Sequence, residues 1–543
     1  MSRMLITGGC VVTMDPQLGE LPRGDVLIEN GRIAALAPSL APPDGAEVID
    51  AAGMIVMPGL VNGHLHTWQS ALRGIAADWT VARYMQAMHR GLATLFRPED
   101  IAIANLMGAL NQINAGATTL VDWCHNNPTP EHTDAAIDGL AESGIRAVFL
   151  HGSPKPDPKP GQKHFSEIPM PRSEIERLRK GRFAGEGLLT LGLAILGPYY
   201  SVWDVTRHDV ALANELDLLC SMHVGGGVPM VAEGFERLAA EGLIKSNFNV
   251  VHGNDIKPDV IGRIVGNGGT FTTTAEIELQ MGYGDPLTGR LHALDSPMSI
   301  GTDVEPASRG DMFTAMRVTL QHERNRTITA TLAETGSRPA EMPLTCRDAL
   351  AWTTVNGGTF TTTAEIELQM GYGDPLTGRL YELGSPMSIG TDVEPASRGD
   401  MFTAMRVTLQ HERNRTITAA LAETGSRPAE MPLTCRDALA WTTVNGAKIA
   451  GLGDRTGSLT VGKAADIVLL AANDITMFPV RDPIGSIVMQ GGVATVDTVL
   501  IAGRVMKRNG RLLYPHLKEK MEVLRRSGDR ILADFGVLPR QAA

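Results

Sequence analysis

An apolar run that ends in two histidines, spaced two residues apart, places the strongest constraint on how this chain folds. The run includes Val56 and continues through Pro58 and Gly59 to His64 and His66. Alternate side chains of a strand share one face, so both imidazoles can reach the same metal ion. Metal-binding groups at the point where a strand opens into a loop are typical of the catalytic face of a barrel. We therefore predict a metal site at the end of a barrel strand.

Three further polar residues each close a short apolar segment where a strand becomes a loop. They are His223, His252 and Asp303. Neutral imidazoles with one carboxylate suit a zinc-like ion, and a catalytic site keeps one position open for water. The pattern predicts one divalent ion, for which Zn is favoured and Fe or Mn is also compatible.

Together these segments resemble the amidohydrolase superfamily, in its cytosine-deaminase-like and triazine-hydrolase-like (ATZ/TRZ) branch. The matching parts are residues 58–67, His223, His252, the Gly-Thr-Asp of residues 301–303, and residues 447–470. They span nearly the whole chain. The resemblance implies an α/β fold, namely a (β/α)₈ TIM barrel of the amidohydrolase type with a small β-sandwich built from both termini.

Both ends of the chain consist of short β-type runs separated by turns, with Asn30-Gly31 as a strong hairpin signal. We expect residues 1–57 and 447–510 to form the composite β-sandwich and residues 58–446 to form the metal-dependent barrel. Residues 511–543 are predicted to be a C-terminal helical tail. This tail either covers a subunit interface or is a solvated helix.

A tandem duplication falls within the predicted barrel. The segment 267–355 recurs as 356–444 with differences at only four positions. Each copy carries the expected seventh and eighth strands, so Asp303 and Asp392 compete for one ligand position. One copy is supernumerary if a single eight-stranded barrel forms. Copy two is slightly favoured, because Gly384 suits a left-handed helix C-cap where copy one has Asp295.

The spare copy has three structural alternatives: it bulges out, competes for the barrel slot or swaps between subunits. An assembly error in the sequence is another explanation for the repeat.

The resemblance also implies a role for each site residue. The metal ligands would be His64, His66, His223 and one of Asp303 or Asp392. The ion would lower the pKa of a bound water towards ~7, so that hydroxide becomes available to attack the substrate at neutral pH. The aspartate would also accept the water proton, and His252 would polarise or protonate the electrophilic centre.

One departure from the family pattern leaves the proton relay open. Relatives that deaminate rings usually carry Glu three residues after the fifth-strand His, whereas Val224-Gly225-Gly226 follows His223 here. Alternative relays are the paired glutamates of the two copies, which are Glu276, Glu365, Glu278, Glu367, Glu305 and Glu394. Trp68, Gln69 and His125 are further candidates for contact with the substrate.

The composition fits a large soluble enzyme and argues against a nucleic-acid-binding or membrane protein. The 543 residues are 43% hydrophobic and carry a net charge of −11, with no basic run that would follow a phosphate backbone. No signal peptide or 18-residue apolar run is evident, and the five scattered cysteines indicate reduced thiols. We expect a cytoplasmic homo-oligomer with a small-molecule substrate. The acidic chain disfavours anionic substrates unless local charge reverses the effect.

Three functions remain open on the sequence. The first is metal-dependent hydrolysis of a non-peptide C–N bond in an aminated N-heterocycle, amidine or cyclic amide, as in a deaminase or amidohydrolase. The second is hydrolytic displacement of chloride or thiolate from a heteroaromatic ring. The third is an inactive or misassembled duplication product that serves at most as a binding protein, although the intact ligand set argues against it.

Overall fold

The computed structural model describes most of the chain outside the repeated segment. The described residues are 2–76, 79, 81–224, 228–252, 256, 258–267, 269–273, 299–300, 361–362, 388–389, 401–402, 405–406, 409–410, 413 and 434–536.

Two β-sheets and a set of flanking helices make up this part of the chain. The strands are β1 (Arg3–Val12), β2 (Glu20–Glu29), β3 (Arg32–Ala37), β4 (Glu47–Asp50), β5 (Met54–Pro58), β6 (Leu60–Leu65), β7 (Ala117–Cys124), β8 (Arg146–Gly152), β9 (Leu189–Ile195), β10 (Cys220–Val224), β11 (Phe248–His252), β12 (Thr270–Thr273), β13 (Ser299–Ile300), β14 (Thr361–Thr362), β15 (Ser388–Ile389), β16 (Ile467–Ala471), β17 (Val496–Ile501), β18 (Arg504–Arg508) and β19 (Arg511–Leu512). The α-helices are α1 (Val81–Tyr84), α2 (Pro98–Asn114), α3 (Pro130–Ser143), α4 (Arg172–Lys180), α5 (Gly197–Tyr200), α6 (Trp203–Leu216), α7 (Gly234–Ala240), α8 (Pro258–Gly266), α9 (Cys435–Trp441), α10 (Val444–Ile449), α11 (Pro483–Gln490) and α12 (Leu517–Asp534).

The first sheet is built from both ends of the chain, as the sequence predicted. Its strand order is β19-β18-β17-β16-β5-β1-β2-β3, and β4 pairs with β1. The N- and C-terminal parts meet where β5 and β16 run antiparallel, with Val56 opposite Leu469. Both of these side chains are fully buried in a small apolar core of their own. The two termini therefore form one hydrogen-bonded sheet.

The predicted Asn-Gly hairpin connects β2 to β3. Asn30 and Gly31 have φ values of 52° and 77°, the left-handed conformations that such a two-residue turn requires. A Cβ at position 31 would lie 2.5 Å from the carbonyl oxygen of Ala502, which belongs to the turn between β17 and β18. Glycine at position 31 therefore lets two hairpins from opposite ends of the chain touch.

The second sheet is parallel and curled, in agreement with the predicted (β/α)₈ barrel. Strands β6 to β12 lie side by side in chain order. The chain passes from the first sheet to the second at Gly59, between β5 and β6. A Cβ there would lie 2.0 Å from Oγ1 of Thr118, so the crossing requires glycine.

Both copies of the repeat contribute strands to the second sheet. From copy one, β12 extends the sheet beyond β11 and β13 pairs with β12. From copy two, β15 pairs with the other edge at β6, with Ile389 opposite Asn62, and β14 pairs with β15. The described part of this sheet therefore has ten strands. One edge is formed by β12 and β13 of copy one, and the other edge by the equivalent strands β14 and β15 of copy two.

A buried ion pair joins the two sheets. Arg146, the first residue of β8, donates from Nε and Nη2 to the Asp466 carboxylate at 2.7 and 3.1 Å. Asp466 also accepts a 2.7 Å hydrogen bond from the backbone N–H of Ala502. Arg146 begins β8, whereas the predicted metal site lies at the carboxyl ends of the barrel strands. The ion pair therefore joins the barrel to the first sheet at the face opposite the metal site.

The predicted C-terminal helix packs one face against the barrel. Ser527 donates a 2.6 Å hydrogen bond to Asp100 of α2, and Arg530 pairs with the same carboxylate. Gly528 lies so close to the short 3₁₀ helix Thr67–Leu72 that a Cβ would be 2.4 Å from the Ala71 carbonyl oxygen. The helix therefore supports the segment that follows the two histidines. None of the described helices is both long enough and apolar enough to span a bilayer.

Candidate metal centre

Three of the predicted ligands meet at the carboxyl ends of two barrel strands. His64 lies in β6, His66 directly follows it, and His223 lies in β10. All three are buried, and one ligand atom from each lies within 4.8 Å of the other two. A compact set of three imidazole nitrogens is a donor set that fits a divalent ion such as zinc. His64, His66 and His223 would hold such an ion.

Backbone and ring contacts from β7 orient two of these histidines. Nδ1 of His66 lies 2.5 Å from the Trp123 carbonyl oxygen, and because that oxygen can only accept, Nδ1 donates the proton. Nε2 of His66 is then the nitrogen available to an ion. The indole ring of Trp123 packs edge-on against His223, with 3.8 Å between ring centroids. Trp123 thus fixes one ligand by its backbone and another by its side chain.

A buried carboxylate holds the backbone immediately after His66. Asp122 Oδ1 accepts hydrogen bonds from the Thr67 N–H at 3.1 Å and from the Thr67 hydroxyl at 2.7 Å. Its other oxygen accepts from the Asn105 side chain at 3.3 Å. Burial raises the pKa of Asp122 to about 6, against the lowering effect of the two Thr67 hydrogen bonds. Asp122 therefore positions the turn that carries His66.

His125 lies against the three-histidine cluster. Its ring stacks on His66, with 4.5 Å between centroids and 26° between planes. The Trp68 indole N–H donates a 3.0 Å hydrogen bond to Nδ1 of His125, so the neutral ring carries its proton on Nε2. Burial, followed by the charges of neighbouring groups, holds the pKa of His125 well below its usual range. His125 can thus serve as a neutral hydrogen-bond donor.

The other predicted site residues divide into two groups. Trp68 and Gln69 are fully buried behind the cluster, where Gln69 donates a 2.7 Å hydrogen bond to the Tyr84 hydroxyl. The backbone of His252 ends β11 in register with Val224, one strand away from His223. The remaining candidates lie outside the described residues: Asp303, Asp392, Glu276, Glu365, Glu278, Glu367, Glu305 and Glu394.

Sequence reasoning missed three contributors to the site. Trp123 holds His66 through a carbonyl group, which every residue has, so no residue pattern reveals that part of its role. Asp122 carried a usable signal, because a carboxylate inside an otherwise apolar strand must be satisfied by specific donors when it is buried. Lys155 lies in the proline-rich loop of residues 153–164, whose polar composition favours exposure, yet it is only 5% exposed, and its charge is one cause of the lowered pKa of His125.

Comparison with known proteins agrees with this architecture. The sequence profile of the amidohydrolase family matches residues 375–506. The 5'-deoxyadenosine deaminase of Methanothermobacter thermautotrophicus is 24% identical over 525 residues, which cover 96% of each chain. The 5-methylthioadenosine/S-adenosylhomocysteine deaminase of Desulforudis audaxviator is also 24% identical, over 98% of this chain and 99% of the relative.

Solved structures show the same fold. An adenosine deaminase from Xanthomonas campestris with bound zinc superposes with a TM-score of 0.66 at 19% identity, over 98% of this chain and 99% of that one. Atrazine chlorohydrolase from Arthrobacter aurescens TC1, complexed with zinc, superposes with a TM-score of 0.65 at 18% identity, over 97% and 100%. The barrel, the histidine cluster and these similarities confirm the predicted fold class and the predicted resemblance to the amidohydrolase superfamily.

Proposed function

We propose that this chain deaminates an aminopurine nucleoside of the 5'-deoxyadenosine type, replacing the exocyclic amino group with oxygen from water and releasing ammonia. The broader activity is that of a metal-dependent hydrolase of C–N bonds other than peptide bonds. The observation that carries the proposal is the buried cluster of His64, His66 and His223. The names of the two deaminase relatives support the choice of substrate.

A divalent ion bound by the cluster would supply chemistry that the side chains lack, because it acidifies water and polarises an electrophile. The chain's own residues would hold the reaction geometry. The Trp123 carbonyl fixes which nitrogen of His66 faces the ion, and Asp122 fixes the backbone of Thr67 next to it. His125 would donate its Nε2 proton in a hydrogen bond to a substrate acceptor. Trp68 would hold His125 through its indole hydrogen bond, and Gln69 would hold the Tyr84 hydroxyl behind the histidine cluster.

We further propose that Asp392, rather than Asp303, completes the ligand set. Asp392 follows β15 by three residues, and β15 pairs with β6, the strand that bears His64. Asp303 occupies the equivalent place after β13, which pairs with β12 instead. The matched family segment, residues 375–506, also includes Asp392 and not Asp303. The aspartate would accept the proton from water, and His252 would polarise the carbon under attack.

The residues after His223 keep a second reaction open, namely hydrolytic displacement of chloride or thiolate from a heteroaromatic ring. Val224-Gly225-Gly226 offers no carboxylate to shuttle a proton to a ring nitrogen, and such a shuttle matters most when the leaving group is an amine. Chloride or thiolate leaves without protonation, and the chain superposes on an atrazine chlorohydrolase. If deamination does occur, the proton would come from one of the paired glutamates of the two copies, which are Glu276, Glu365, Glu278, Glu367, Glu305 and Glu394. A catalytically inactive binding protein is the third alternative.

The test combines metal analysis with product assays. Wild type, His64→Asn and the exposed control His516→Asn are purified, loaded with zinc and analysed for metal per chain. Ammonia and chloride release are then measured with 5'-deoxyadenosine, cytosine, an aminotriazine and a chlorotriazine. We expect one zinc per wild-type chain and ammonia from 5'-deoxyadenosine, both lost in His64→Asn and retained in His516→Asn.

Other results would redirect or end the proposal. Chloride release without ammonia release would favour the displacement reaction. A wild-type protein that binds no metal, or that binds metal and releases neither product, would contradict the hydrolase proposal and favour a binding protein.

A further inference from the structure

A cavity lies between the end of β8 and the loop that follows this strand, residues 153–164. Its volume is about 480 Å³, which is within the range of sites that bind small molecules. Six of the residues that line it are prolines, and Phe165 and Ile168 add further apolar surface. The wall of the cavity is therefore suited to an apolar ligand.

His151 brings a polar side chain from β8 to this cavity. Alternate side chains of a strand lie on opposite faces. Leu150 packs in one apolar cluster with Trp123, whereas His151 lies beside Phe149, with 6.5 Å between ring centroids, and reaches Thr133 of α3. His151 therefore lies on the helix-facing side of β8, and the cavity is a different site from the histidine cluster that surrounds Trp123.

One nitrogen of His151 is buried without a partner. The residue is only 3% exposed, and its Nδ1 has no hydrogen-bond partner within the described part of the chain. Nε2 lies 3.4 Å from Oγ1 of Thr133, and the Thr133 hydroxyl donates its single proton to the Thr129 carbonyl oxygen at 3.3 Å. That hydroxyl can then only accept from Nε2, so Nδ1 carries no proton and is a hydrogen-bond acceptor.

The cavity favours a ligand without net charge. Burial, ahead of the nearby charges, lowers the pKa of His151 to about 4, so the ring is neutral at pH 7. Asp157 and Lys163 also line the cavity, but both are exposed and their charges are opposite in sign. A buried acceptor without a donor costs free energy, and a neutral donor on a ligand would remove that cost.

We infer that this cavity binds a neutral aromatic alcohol whose hydroxyl group donates a hydrogen bond to Nδ1 of His151. The rings of the ligand would pack against Phe165 and the prolines of the wall. The inference concerns a second site, and it does not depend on the metal centre or on the proposed deamination.

The experiment compares two probes that differ by one methyl group. 2-Naphthol and 2-methoxynaphthalene share a bicyclic ring, but only the first can donate a hydrogen bond. Binding of each to the full chain at pH 7 is measured by calorimetry. We expect wild type to bind 2-naphthol about 5- to 30-fold more tightly than the ether, the range for one buried hydrogen bond.

Two variants and a control locate the binding. His151→Phe keeps a ring of similar size and should bind both probes equally, because it removes the acceptor. Phe165→Ala should weaken both probes by a similar factor, because it removes part of the wall. His516→Asn alters an exposed histidine of α12 and should leave both affinities unchanged.

Several results would overturn the inference. They are equal affinities for the two probes in wild type, a preference for 2-naphthol that survives in His151→Phe, and no binding of either probe. If His151→Phe fails to fold, Phe165→Ala decides, because unchanged affinities in that variant would place the probes elsewhere on the protein.

Discussion

The buried pair between Arg146 and Asp466 should be the most costly single contact to break outside the metal centre. The Arg146 side chain is 2% exposed and that of Asp466 is 0% exposed. Arg146→Met removes two of the three hydrogen bonds that reach the carboxylate and leaves the Ala502 N–H as the remaining donor. Removal of one partner of a buried pair typically costs 3–5 kcal/mol, so we expect a loss of about 3–4 kcal/mol.

The assay is urea unfolding followed by tryptophan fluorescence, together with zinc content of the folded protein. The double variant Arg146→Met/Asp466→Leu should recover more than half of the loss, because it leaves no unpaired buried charge. Zinc content should stay at the wild-type level, since the pair lies at the opposite end of β8 from the histidine cluster. A loss below about 1 kcal/mol for Arg146→Met, or no recovery in the double variant, would refute the reasoning.

Three other predictions follow from the structure. Asp392→Asn should abolish zinc retention during dialysis while Asp303→Asn keeps it, and the reverse result would assign the site to copy one. Thr67→Val removes the hydroxyl donor to a buried carboxylate and should weaken zinc affinity by roughly 10-fold in a chelator competition, with Thr94→Val as a control on an exposed threonine. Burial lowers the pKa of Lys507 to about 8, so the folded chain holds fewer protons than the unfolded chain and stability should rise between about pH 8 and 10.5. Lys507→Met should flatten that rise, which we expect to be about 1–2 kcal/mol after allowance for solvent screening, and a pH-independent difference between the two proteins would contradict the assignment.

Much of the site could be predicted from the sequence, because polar residues at the ends of apolar segments are visible in the local pattern alone. His64, His66 and His223 each follow an apolar segment, and a parallel sheet brings the carboxyl ends of its strands to one edge. Short β-type runs and turn residues indicated strands at both termini, while the expectation that these strands form one domain came in part from the family resemblance. These features require only that each segment adopts the strand its sequence favours.

The loop after β8 could not be read in the same way. The prolines and charged residues of this loop, residues 153–164, favour a solvent-exposed segment, and most of its residues are exposed or half-buried. The buried Lys155 contacts the ring of Tyr200, which lies 45 positions later in the chain, so no local pattern predicts this contact. Long-range contacts of single polar side chains leave no mark on the local sequence pattern.

The repeat raises a different difficulty, since its copies have nearly the same local preferences. The preference for copy two came from the end of a helix, where copy two has Gly384 and copy one has Asp295. It did not consider how the strands of the two copies compete for one position in the sheet. In the structure β12 from copy one continues the sheet on one side, while β15 from copy two pairs with β6 on the other. Described strands from both copies therefore share one sheet, which a comparison of whole copies did not anticipate.

The near-identity of the repeats has a genetic consequence. A unit of 89 residues corresponds to a whole number of codons, so a recombination event between equivalent points of the two copies would delete one copy without shifting the reading frame. Wherever the crossover falls, the product is a chain of 454 of the 543 residues, and alternative products differ only at the four positions that distinguish the copies. A crossover between β12 and β15 would join the two strands that flank the rest of the sheet into one eight-stranded set. A single recombination event would therefore convert the 543-residue chain into one with eight barrel strands. Whether the gene for the 543-residue chain persists in a growing culture would show whether the extra segment benefits the cell.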